Sequence, residues 1–133
     1  MAPPAQKHLV LILAREFASN LATPMLLTDA NGTLVFFNEA AEAIVGSSYA
    51  EAGEMSFADW SAQSAARTLD GRPLAAHERP AAIALYERRP AHERLLITGL
   101  DGSERAIEVT AFPLFAHGDE FLGIVLIVWQ TGE

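Results

Sequence analysis

The sequence predicts an α+β domain with strands towards both ends and short helices between them. Three observations carry this. Two short apolar runs flank an Asn31-Gly32 turn and lead directly into a capped helical pattern. The last third runs as apolar stretches separated by glycine-containing turns, the middle stretch alternating with polar residues. The segment between is rich in Ala, Ser and Gly, with weak periodicity suited to short helical turns.

Taken in order, residues 5–21 place Leu9, Leu13 and Phe17 at four-residue spacing with Val10 and Leu21 close by, a helix with a broad apolar sector. Thr23-Pro24 breaks it. Met25–Thr28 and Leu34–Phe37 form a hairpin across Asp29–Thr33, because Asn-Gly between β-favouring runs supplies the turn. Asn38 then takes the N-cap position of a helix over Glu39–Val45, and Gly46 stops it. Short helical turns are expected around Phe57–Ala66, followed by a loop through Asp70–Pro73. Pro80 fits the first turn of a helix reaching about Arg88, with Ile83 and either Tyr86 or Leu85 turned inward, and Pro90 ends it. His92–Gly99, Glu104–Phe115 and Phe121–Gln130 read as antiparallel strands joined at Asp101-Gly102 and His117-Gly118-Asp119. In the middle one, Ile107, Val109 and Ala111 share one face, with Glu108 and Thr110 on the other. The final strand does not alternate, so both of its faces should be covered.

Composition narrows the function. A chain of 133 residues that is half apolar is one folded domain. Seventeen acidic side chains against nine basic ones give a charge of −8, and no stretch concentrates Lys or Arg. Nucleic acid and acidic membrane surfaces are therefore not expected partners. The absence of cysteine excludes disulfides, thiolate metal sites and cysteine nucleophiles. The apolar run Leu9–Ala14 is too short for a signal peptide, and Phe121–Trp129 is far below a membrane span, so a cytoplasmic protein is expected. Asn31-Gly32-Thr33 matches a glycosylation acceptor but reads as a turn. No G-x-S-x-G, H-E-x-x-H or phosphate-cradling glycine loop is present. The acid-rich pairs Glu39/Glu42 and Asp119/Glu120 read as solvated charge, so no catalytic residue and no enzyme is expected.

Several segments in order resemble the PAS domain family. Asp29-x-x-Gly32-x-Leu34-x-x-x-Asn38, continuing through Glu39-Ala40-Ala41-Glu42 to Gly46, is similar to its opening hairpin and capped helix. Asp70-Gly71-Arg72-Pro73-Leu74, then Pro80 and Ala84-Leu85, resembles a pattern of many bacterial members. Asp101-Gly102, Ile107-Glu108-Val109-Thr110-Ala111-x-Pro113 and Gly123 resemble the final strands. The likeness runs from about Leu21 to Trp129. It divides the chain into an N-terminal capping helix over 1–22 and a PAS domain over 23–133. It implies a five-stranded antiparallel sheet with short helices on one face, and a pocket between them that holds haem, flavin, metabolites or lipids in some members.

Counting the last strands from their turns and from Gly123 points Leu95, Ile97, Ile107, Val109, Ala111, Val125, Ile127 and Trp129 at this pocket. Leu26, Thr28, Val35 and Phe37 join from the first hairpin, with Ile44 and Ile83 from the helices. Flavin-binding relatives carry asparagines at the positions of Ile97 and Ile107 and glutamine at that of Val125. The apolar residues here would leave each flavin polar group unpaired at about 1–3 kcal/mol apiece, and the photoreactive cysteine is missing. Haem sensors place the axial ligand near Glu87, whereas the histidines are His8, His77, His92 and His117, so haem is not expected and no metal ligand is assigned. The apolar lining suits a fatty acid or other small apolar ligand, and it equally suits a fully packed core.

With that register, Ile124, Leu126 and Val128 point outward beside Leu96 and Phe112, a patch that needs cover. The N-terminal helix, through Leu9, Val10, Leu13 and Phe17, is the expected cover. Relatives dimerise through this helix and sheet face, which implies a homodimer; the alternative is a monomer whose helix caps its own sheet. The resemblance implies a non-enzymatic sensory or signal-transduction module that binds a small hydrophobic ligand or mediates dimerisation and protein–protein interaction. The alternatives are a ligand-free docking module and a haem-based gas or redox sensor. Most members continue through a helical linker into a kinase or other output region. Gln130–Glu133 carries no such linker, so the expectation is a piece of a larger sensor or a free-standing protein acting through a partner kinase or other output protein.

Overall fold

The computed structural model describes residues 4–63 and 65–130, with side chains from residue 11 onward apart from that of residue 63. The side chains of Leu9, Val10 and His8 thus lie outside the described residues. Helix α1 (Pro4–Ser19) is followed by strands β1 (Met25–Thr28) and β2 (Leu34–Phe37) and helices α2 (Glu39–Val45), α3 (Tyr49–Ala52) and α4 (Phe57–Gln63). Strand β3 (Ala66–Arg67), a 3₁₀ turn (Ala76–Glu78) and α5 (Pro80–Glu87) lead to β4 (Ala91–Thr98), β5 (Glu104–Ala116) and β6 (Glu120–Gln130). The strands form one antiparallel sheet in the order β2-β1-β6-β5-β4-β3. The sixth strand is β3, whose two residues pair with Leu96 and Ile97 where the sequence suggested only helical turns.

Local chemistry explains the boundaries. Asp29 Oδ1 accepts from Asn31 N–H and Thr33 N–H, at 2.9 and 3.0 Å, and so closes the first hairpin. Asn38 Oδ1 caps α2 by accepting from Ala41 N–H at 3.0 Å, and Gly46 ends the helix. Pro80 opens α5, which buries Pro80, Ala81, Ala82, Ala84 and Leu85. Ile83 is only half-buried and Tyr86 exposed, so the helix turns its small residues inward, and Ile83 joins neither core cluster. The guanidinium of Arg88 lies 3.7 Å over the Phe121 ring and fastens the end of α5 to β6.

The sheet separates two cores. On the helical side, Phe37, Ile44, Leu95, Ile107, Val109 and Ala111 pack with Leu85, Ile124, Leu126 and Val128. On the other side, Met25, Leu27 and Val125 pack against Ala18, with Ala14, Leu21, Val35 and Ile127 at the margin. This corrects the expected facing of β6: Val125, Ile127 and Trp129 turn away from the helical side, and Ile124, Leu126 and Val128 turn toward it. A register counted straight from the last turn pairs Ala111 with Val125 and Val109 with Ile127. The pairing shifts between Leu114 and Phe115, where Leu114 meets Gly123 and Phe115 meets Phe121. Leu122 is the extra residue, so Ala111 pairs with Leu126, Val109 with Val128 and Ile107 with Gln130. One inserted residue reverses every later side chain.

The same device corrects Val35. Thr28 pairs with Leu34 and Leu27 with Phe36, so Val35 is extra in β2 and turns to the α1 side while Leu34 and Phe37 turn inward. Helix α1 covers the second core with Ala14 and Ala18, small residues that allow close approach, while Leu13 and Phe17 are 59% and 60% exposed. Ile124, Leu126 and Val128 are buried and form no outer patch.

Candidate functional site

A cavity of about 100 Å³ lies between the sheet and the helices. Its sheet wall includes Leu26 from β1, Leu34 from β2, Ala66 from β3, Leu95 and Ile97 from β4, Ile107 and Val109 from β5, and Leu126 and Val128 from β6. Ile44 and Val45 at the end of α2, Met55, Trp60 of α4, and Pro80 and Ala81 of α5 close the helical side. These positions follow from the caps and turns described above. Trp60 Nε1 donates to Gly32 O at 2.9 Å, fixing α4 against the β1–β2 turn, while the Phe57 and Trp60 rings meet edge-on at 5.2 Å within the helix.

Six residues singled out from the sequence meet in this wall: Leu26, Ile44, Leu95, Ile97, Ile107 and Val109. Phe37 and Ala111 belong to the surrounding core without lining the space. Thr28 is fully buried for a different reason, its hydroxyl accepting from Ile124 N–H at 3.2 Å and donating to Asp29 O at 2.9 Å, which stitches β1 to β6. Val35, Ile83, Val125, Ile127 and Trp129 lie elsewhere.

Sequence reasoning missed Leu34, Leu126 and Val128, which a bulge-aware register would have found. It also missed Met55 and Trp60 in the weakly periodic segment, and Arg79. Arg79 is the charged residue of the wall, placed there as the residue preceding Pro80 at the start of α5. Its Nε is buried and meets no acceptor among the described residues. Burial pushes its pKa below the ordinary arginine value.

Outside the cavity, His77, His92 and His117 are exposed, and Glu87 is the exposed last residue of α5. His92 stands on the sheet face opposite the cavity, with Nδ1 2.7 Å from Thr110 Oγ1 and Nε2 2.7 Å from Glu108 Oε2. Among the described residues no group of three or more His, Asp or Glu side chains could hold a metal ion. None of the described helices is long and apolar enough to cross a membrane. The second notable surface is the outward side of α1, where Ile12, Leu13 and Phe17 are all more than half exposed.

A family model described as the PAS fold matches residues 13–129. No curated protein matches the chain by sequence. Among solved structures, the chain is similar to the PAS domain of Bordetella pertussis BvgS, with 21% identity, TM-score 0.66, and coverage of 93% of this chain and 88% of that one. It is also similar to the PAS domain of nitrogen regulation protein NR(II) from Vibrio parahaemolyticus, with 17% identity, TM-score 0.59, and coverage of 89% and 97%. The light-state dimer of the fungal blue-light photoreceptor Vivid matches with 12% identity, TM-score 0.62, and coverage of 97% and 95%. At these identities the likeness is one of fold.

Proposed function

Because the chain belongs to the PAS family of sensory and signalling domains, we propose that it is a non-enzymatic sensor whose apolar cavity binds a compact hydrophobic ligand. The observation that carries this is the cavity itself. It offers about 100 Å³ of space, partly open to solvent, behind an almost wholly hydrocarbon wall. An apolar recess of this kind leaves hydrocarbon surface against water until an apolar ligand covers it, which favours a binding site over a docking module with a fully packed core. Space of this order takes a hydrocarbon group about the size of benzene. Flavin and haem lie outside this reading, because the lining residues include no side-chain amide and no histidine.

Native mass spectrometry and toluene titration test the proposal. The expected result is a small bound mass, or a melting temperature that climbs with toluene as ligand linkage requires. No bound mass in any preparation together with no shift at saturating toluene refutes it.

A second role, self-association, is supported by the exposed Ile12, Leu13 and Phe17 on α1 and by the dimer recorded for the structurally similar Vivid. The sensor then passes its state to a signalling partner such as a kinase, in the cytoplasm.

A further inference from the structure

The ligand that suits this cavity is not purely apolar. We infer that Arg79 is its polar anchor and that the site takes a compact carboxylate, with the hydrocarbon part in the apolar space and the carboxylate on the Arg79 guanidinium. This rests on the ligand-binding reading above and narrows it. Arg79 sits in the cavity wall with its Nε buried and unaccepted among the described residues. A buried donor without a partner is costly, and one belonging to a charged group more so.

The carboxylate closest in sequence does not serve. Glu78 Oε1 accepts from Ala75 N–H at 2.8 Å and pairs with Arg72 at 3.4 Å, so it is engaged within its own turn. No side chain caps the α5 helix that begins beside Arg79. No described residue supplies an acceptor to this Nε, and a carboxylate matches a guanidinium fork in shape and charge. The rest of the wall offers hydrocarbon, which limits the remainder of the ligand to a small ring or branched chain.

The test compares benzoate, benzamide and toluene on the intact protein, by calorimetric titration or chemical-shift mapping, for the wild type, Arg79→Met and Arg79→Gln. Both substitutions should weaken benzoate by about tenfold or more, as expected for a lost charge-assisted hydrogen bond, and leave toluene within about threefold. Wild-type protein should also prefer benzoate to benzamide. A loss for benzoate of less than tenfold, an equal loss for toluene, or equal binding of benzamide overturns the carboxylate assignment. Toluene binding without benzoate binding overturns it too, while leaving the cavity reading intact; failure of all three probes in the wild type overturns it as well and, together with no bound mass in native mass spectrometry, refutes the cavity reading itself. The ligand-free variants should melt at or above the wild-type temperature, since each removes a buried unpaired donor. A clear fall in both variants would assign Arg79 a structural role and overturn the proposal.

Discussion

Asn38→Ala is expected to be among the most damaging single substitutions in the domain, although Asn38 touches no ligand site. The side chain is 2% exposed and uses both ends of its amide. Oδ1 accepts from Met25 N–H at 3.1 Å and from Ala41 N–H at 3.0 Å. Nδ2 donates to Ala18 O and Thr23 O, both at 2.9 Å. Loss of the α2 cap alone costs about 1 kcal/mol. Leaving Met25 N–H buried without an acceptor adds about 1–3 kcal/mol, and the two carbonyls add less because each keeps a second lone pair. The total is roughly 3–5 kcal/mol, which lowers the melting temperature of a domain this size by roughly 10–20 °C. Urea denaturation measures it, with an unchanged slope confirming that the folded state is intact. Asn38→Asp sharpens the test, since it keeps both accepted bonds but aims a carboxylate oxygen at two carbonyls. Its folded pKa is then raised above the unfolded value of about 3.9, so its penalty is present at neutral pH and eases as pH falls through the folded pKa. A loss below about 1 kcal/mol for Asn38→Ala would show that the residue is only a helix cap and refute the argument.

Two further predictions follow from the same geometry. Gly123 has φ 151°, and a Cβ there would lie 2.0 Å from Thr28 O, so Gly123→Ala should cost about 3 kcal/mol or more and weaken β1–β6 pairing by amide exchange. Gly102→Ala is the control, with φ 83° but nothing within 4 Å of the added carbon, and should cost only about 1 kcal/mol in the same denaturation assay. Leu13→Glu and Phe17→Glu alter exposed α1 residues, so each should keep the fold by circular dichroism while reducing self-association by tenfold or more in light scattering. Folded variants with unaltered mass would count against the α1 interface.

The parts of this fold written in local chemistry were legible. Strands Met25–Thr28 and Leu34–Phe37 and the Asn38-capped helix stand where the Asn-Gly turn and the cap place them. Strand facing was legible only where polarity alternates, as at Ile107, Glu108, Val109 and Thr110. Between Ile124 and Val128 every residue is apolar, so the sequence offers no polar partner to mark the outer side, and a bulge at Leu122 passes unseen. Val35 fails for the same reason in a run of four apolar residues. Arg79 was illegible in another way: an arginine before Pro80 reads as solvated charge, and only tertiary packing brings it against Ile97 and Leu126 in one wall.

The doubly apolar character that hid the register of β6 is also what the strand contributes mechanically. Leu126 and Val128 form cavity wall, whereas Val125 and Ile127, their immediate neighbours, lie in the core beneath α1. Adjacent residues of a strand share backbone, so a ligand that shifts the backbone at Leu126 also shifts Val125 and Ile127. Ile127 is paired with Met25, whose N–H is held by Asn38 at 3.1 Å, and Asn38 in turn holds Ala18 O of α1 at 2.9 Å. Cavity and helix are therefore joined by one short route of backbone pairing and the amide bonds of Asn38, the N-cap residue between β2 and α2. Physical adjacency alone does not establish energetic coupling, which requires that both ends bias a shared element. The structure supplies the adjacency, through β6 and β1 pinned to α1 by Asn38, and a change in α1 amide exchange on filling the cavity is the measurement that would supply the coupling. Under the proposed ligand-binding function, β6 would carry the cavity on one of its faces and the α1 contact on the other.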